Sequence, residues 1–202
     1  GGDMGPNVAA PGLGEGDTRP HAQLAGAGLA AEAPAAGAAL RDPQALIREI
    51  QSGYAGDARK AAARLVREAR TFLNVRDSEN ADLLATRAVE LDPTNAEALN
   101  LRASARNRLG RLELAEQDSS RSLALVSPER GGFPALKSRI WALNSMRRFP
   151  EALQDALHAK RIKPGDGFVL MGEARALGGL GRREEMIARL REAAAAQPER
   201  YG

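Results

Sequence analysis

From about residue 62 onward the apolar positions recur at the helical period, and one pattern returns in phase along the chain. Leu65, Leu99, Leu136 and Leu170 are separated by 34, 37 and 34 residues. Ala69, Ala103, Ile140 and Ala174 keep those steps. So do Ala81, Ala115, Ala152 and Met186, and again Ala88, Ser122, Ala159 and Ala193. A fixed period of this length predicts a repeat architecture. The three extra residues fall in Ser127–Gly132, where one proline and two glycines predict a loop. Pro93, Pro128, Pro164 and Pro198 mark the ends of the units.

Each unit reads as two antiparallel helices. Small residues recur where the helices must cross closely, and the four leucines fill the layer between them. Gly110 and Gly181 stand between the two helices of their units, where a left-handed residue ends a helix at low cost. Phe149–Pro150 serves a related purpose in the third unit, with proline opening the next helix. Upstream, Asp42 caps and Pro43 opens a short helix through Ala45, Leu46, Ile47 and Ile50, which ends near Gly53. No segment alternates as a strand does. One unit cannot bury its apolar face alone, so stacking is required. The pattern therefore predicts an all-α solenoid of about four repeats, over residues 62–95, 96–132, 133–166 and 167–200. They lie within a folded region spanning 42–202, with a short N-terminal helix in front. Residues 1–41 are rich in Ala, Gly and Pro with almost no large apolar side chains, and read as a disordered tail.

Composition narrows the chemistry. The chain has no cysteine, which removes disulfides and thiolate chemistry. His21 and His158 are its two histidines, little material for a metal site or a nucleophilic triad. Asp118 near Glu116, and Glu184–Glu185, read as solvated acidic faces rather than acid/base pairs. Gly178–Gly179–Leu180–Gly181 is glycine-rich but follows no strand, so it reads as a helix end rather than a phosphate cradle. No enzyme activity, cofactor or metal is expected. No apolar run reaches the ~20 residues that cross a bilayer. A soluble protein is expected, with the cytoplasm and export both left open.

The formal net charge is +3, unevenly spread. Residues 1–42 hold five acids and two bases, a net −3, which leaves +6 on the remainder. The bases are 25 arginines and 4 lysines, and arginine suits bidentate pairing with carboxylates. A basic helical array raises nucleic-acid binding as the alternative function. Acids interleave the bases and aromatics are only 3%, so stacking platforms are scarce and the alternative ranks second.

The stretches AVELDPTNAEALNLR (residues 88–102) and FPEALQDALHAKRIKP (residues 149–164) resemble the tetratricopeptide repeat, and the resemblance extends over 62–200. Departures are Arg76–Asp77 where other units have Gly110 and Gly181, Ile140 and Met186 at small positions, and few large aromatics. The resemblance implies a non-catalytic interaction module that binds a peptide or helix of a partner protein in a concave groove lined by the first helices. Carried onto this chain, the groove would include Arg70, Asn74, Asn100, Ser104, Asn107, Arg108, Lys137, Trp141, Asn144, Met171 and Arg175. The Lys, Asn and Arg set with which some relatives clamp a terminal carboxylate is not matched. Units two to four offer Asn100, Ser104, Ser138, Phe168 and Gly172 at those positions. The last helix, from about Arg182 to Ala196, has no further helix after it in this sequence. Self-association through it, around Leu190, is a further expectation.

Overall fold

The structure is a computed structural model that describes residues 41–196. The tail expected over 1–41 lies outside the described residues except for Arg41, as does Pro198. Nine α-helices follow one another among the described residues, with no strand. They are α1 (Pro43–Gly53), α2 (Ala58–Asn74), α3 (Ser78–Leu91), α4 (Ala96–Arg108), α5 (Leu112–Leu125), α6 (Phe133–Ser145), α7 (Phe149–Ile162), α8 (Gly167–Gly179) and α9 (Arg183–Ala196). A 3₁₀ turn at Pro128–Arg130 takes up the extra residues before α6.

Capping follows the sequence. Asp42 accepts from the backbone N–H of Gln44 and Ala45, and Asp57, Asp77, Asn95 and Asp166 cap α2, α3, α4 and α8 in the same way. A helix therefore starts wherever a short polar side chain can satisfy its unpaired first-turn donors. α2 begins one turn before residue 62. The four phase leucines are all essentially inaccessible. Burying each contributes about 1.5–3 kcal/mol.

The helices stack in sequence, α2 with α3, α3 with α4, and onward to α9, while α1 covers α2 and α3. First helices also touch their successors: α2 with α4, α4 with α6, α6 with α8. Second helices make no comparable contact with one another. The stack is tighter on the first-helix side, so that side is the inner face.

The turn between the two helices of each pair uses one conformation. Arg76, Gly110, Arg147 and Gly181 occupy it with φ of 66°, 75°, 61° and 75°. The backbone N–H of the next residue then bonds the carbonyl five residues back, as Asp77 does to Phe72 and Arg148 to Leu143. In the third pair this residue is Arg147, ahead of Phe149–Pro150.

Both oversized residues at small positions are matched by a glycine. Ile140 is fully buried, and a Cβ on Gly172 would lie 2.7 Å from its Cγ2. Met186 has its Sδ 2.8 Å from where a Gly178 Cβ would stand. Gly179 gives the same room to the Phe149 ring. The glycines of α8 thus make space for neighbours, which is more than closing the helix.

One expectation is overturned. Asp118 is 2% exposed and is no solvated face. It receives Nε and Nη2 of Arg102 at 2.8 and 2.7 Å and Nη1 of Arg106 at 2.7 Å. Arg106 also reaches Asp82 on α3 at 3.1 Å, which Arg111 contacts at 2.5 Å. The bidentate pair recurs one unit on, where Arg139 meets Asp155 at 2.7 and 2.8 Å. In the last unit the charges exchange places: Glu173 is on α8 and Arg189 on α9, 3.8 Å apart. Glu173 also pairs with Lys160 at 3.2 Å.

Candidate functional site: the inner face of the first helices

The inner face is a surface of four parallel stripes at i, i+3 or i+4, i+7, the spacing that puts side chains on one side of a helix. Its N-terminal end is a cleft of about 480 Å³ lined by Tyr54, Val66, Arg67, Arg70, Asn95 and Glu97 among others. Arg70 forms an ion pair there with Glu97. Asn74, at the end of α2, is half-buried.

The middle of the face is a polar seam. The Ser138 hydroxyl lies 3.1 Å from that of Ser104 and 3.3 Å from Asn100 Oδ1, to which it donates. Asn107 donates through Nδ2 to the Ser138 carbonyl at 2.8 Å, and one unit on Asn144 donates to the Gly172 carbonyl at 3.0 Å. These two asparagines tie α4 to α6 and α6 to α8. Their Oδ1 atoms are buried without a partner. Arg108 donates to the Leu73 carbonyl at 2.5 Å, closing the end of α2. Burial pushes its guanidinium pKa below the ordinary value, and the like charge of Arg76 adds to the shift.

The C-terminal part is aromatic and cationic. Trp141 on α6 and Phe168 on α8 have ring centroids 6.3 Å apart, tilted by 35°. Arg175 lies over the Trp141 ring at 5.6 Å. Lys137 lies 5.0 Å from the Phe168 centroid and 5.7 Å from that of Phe133, and its ammonium pairs with Asp166 at 3.0 Å. Met171 is exposed beside them on α8. Lys163 covers the other ring, 4.6 Å from the Phe133 centroid.

The structure thus gathers Asn100, Ser104 and Asn107 around Ser138, and Lys137 and Trp141 around Phe168, with Arg175 over the Trp141 ring. It sets Arg70 in the cleft with Glu97, and it engages Arg108 and Asn144 with backbone. Sequence reasoning did not select Ser138, Phe168 or Arg67. Phe168 was legible in the spacing, since 168, 171 and 175 fall on one stripe of α8. Ser138 was not, because it stands where other units carry Leu101 and Gly172. No group of three or more His, Cys, Asp or Glu side chains among the described residues could hold a metal ion. No helix among them is long and apolar enough to cross a membrane.

A family model for the tetratricopeptide repeat matches residues 84–117, the end of one helix pair and most of the next. Residues 84–117 therefore match a tetratricopeptide repeat. Solved structures share the fold of the helical solenoid. A crystal structure of MamA matches with a TM-score of 0.63 at 21% identity, covering 79% of this chain and 91% of that one. A second crystal structure of MamA gives 0.59 at 20% identity, over 78% and 93% of the two chains. The 41-end form of MamA from Desulfovibrio magneticus RS-1 gives 0.60 at 12% identity, over 81% of this chain and all of that one. No curated protein matches the chain in sequence.

Proposed function

We propose that this tetratricopeptide solenoid is a non-catalytic interaction module that holds a peptide or helix of a partner protein along the inner face of α2, α4, α6 and α8. The observation that carries the reading is the platform of Lys137, Phe168, Trp141 and Arg175. Half-buried aromatic rings with cations against them offer large contact area at little loss of side-chain freedom, the character of residues that dominate binding energy. Rigid neighbouring helices hold the platform, so little ordering is needed on binding.

The competing surface is the outer one, where Leu114 on α5 and Leu157 on α7 are exposed. Displayed random peptides are selected on the full chain and then challenged with variants whose folding is checked by circular dichroism. The reading expects Trp141→Ala and Phe168→Ala to release most selected peptides, and Leu114→Ala and Leu157→Ala to leave them bound. Peptides indifferent to the first pair and lost with the second would refute it.

A further inference from the structure

We infer that the inner face takes an internal polypeptide segment, acidic at both ends and apolar next to one of them. This rests on the groove reading above and adds the chemistry of the occupant.

The charges of the face carry the argument. Its acids are already compensated: Glu97 by Arg70, and Asp166 by Lys137. Asp166 is further engaged by the backbone N–H of Val169. Arg108 is turned to the Leu73 carbonyl. Lys163, between α7 and α8, covers the Phe133 ring. On the inner helices themselves, two cations of the face have no carboxylate partner among the described residues, Arg67 on α2 and Arg175 on α8. They stand on the first and the last of the four inner helices. The face therefore presents an uncompensated positive charge at each end and no uncompensated negative charge. A basic segment would be repelled at both ends. Arg175 lies against the Trp141 ring, and a stacked guanidinium keeps its edge donors free for a carboxylate.

Between the ends the chemistry changes. Trp141, Phe168 and exposed Met171 form an apolar patch next to Arg175, while the Asn100–Ser104–Ser138 seam is polar and neutral. A polar seam suits main-chain amides and the patch suits one apolar side chain. Four inner helices at about 10 Å spacing put the terminal ones about 30 Å apart. An extended chain rising ~3.3 Å per residue covers that with about nine residues. The occupant does not have to be a chain end, because Ser138, Phe168 and Gly172 stand where a terminal carboxylate would need cations.

Trp141 is the chain's one tryptophan, so its emission reports on the apolar end of the proposed site. The probe is an acetylated and amidated peptide of about nine residues, with two glutamates at each end and a leucine next to one glutamate pair; its counterpart carries lysine for each glutamate. With the full chain, the acidic peptide is expected to change Trp141 emission saturably, more weakly as salt is added, and the lysine peptide to bind at least tenfold more weakly. Arg67→Ala and Arg175→Ala should each reduce acidic-peptide affinity threefold to tenfold. Arg121→Ala, on α5, should not. Equal or tighter binding of the lysine peptide overturns the acidic occupant, while the groove reading survives because Trp141 still responds. Binding that requires a free terminal carboxylate overturns the internal segment. No response to either peptide overturns the inference outright. Failure of the groove reading itself is registered separately, by selected peptides that ignore Trp141→Ala.

Discussion

Replacing Arg76 by glycine should stabilise the protein, and by more than the same change at Arg147. Both arginines hold the left-handed conformation that Gly110 and Gly181 adopt in the other two units. For a residue with a Cβ this conformation costs about 1–2 kcal/mol. Glycine loses more freedom on folding, which returns about 0.5–1 kcal/mol of that. The net expected gain is about 0.5–1 kcal/mol per site. The surroundings then separate the two sites. Arg147 lies 6.0 Å from the Phe149 centroid, and an exposed contact of this kind is worth about 0.5 kcal/mol, which removes much of its gain. Arg76 instead repels half-buried Arg108, so its removal adds to the gain. For a domain of this size about 1 kcal/mol shifts Tm by roughly 2–4 °C. Thermal melts by far-UV circular dichroism, with urea midpoints alongside, should rank Arg76→Gly above Arg147→Gly and both at or above the parent. Arg76→Ala divides the effect, since it removes the charge and keeps the strained backbone. A glycine variant less stable than the parent, or the reverse ranking, would refute the reasoning.

Asp118→Ala should cost about 3–5 kcal/mol in urea unfolding, because the mostly buried Arg102 and Arg106 lose their shared carboxylate. A loss under about 1 kcal/mol would mean that water replaces that carboxylate freely. Gly132→Ala should destabilise by about 1–3 kcal/mol, since its Cβ would collide with the Val126 carbonyl oxygen, which is backbone and cannot turn aside. Acid should weaken the fold in a direction set by its carboxylates. Glu129, Glu151 and Glu185 are held below the ordinary value by hydrogen bonds from His158, Arg148 and Arg182. Their contribution is present above the unfolded carboxylate range and is lost as pH falls through the lower folded values. The urea midpoint should therefore drop on acidification, and a combined Glu151→Gln, Glu185→Gln variant should drop less steeply.

The helical solenoid was legible because its signals are local and repeated. The phase leucines, the Asp and Asn caps and the small crossing residues each constrain a few neighbouring positions; the leucine recurs in every unit and the caps and small residues in most. Contacts between units were harder to read. The Asn107 and Asn144 bonds join residues 31 and 28 positions apart, and nothing in either stretch taken alone announces them. Asp118 looked like surface because polar residues flank it, and its burial comes from two arginines on the preceding helix. The arginine excess, a compositional fact in the sequence, becomes structural at Arg102, Arg106 and Arg139. In the candidate site, Trp141 and Arg175 could be placed on one face by spacing. That Phe168 completes their platform depends on how α6 and α8 approach, with Gly172 giving room to Ile140.

The exchanged charges of the last unit bear on how the chain avoids misassembly. Repeat proteins are prone to pair the wrong copies of near-identical helices, within one chain or between two. Here a slip that set α9 against α6 would face Arg189 with Arg139, and one that set α7 against α8 in the within-unit geometry would face Asp155 with Glu173. Both errors bury like charges, whereas α4 with α7 would still match Arg102 to Asp155. The middle units are therefore electrostatically interchangeable and the last is not. It acts as a lock that accepts one key, giving an otherwise repetitive array one distinct unit from which its order can be counted.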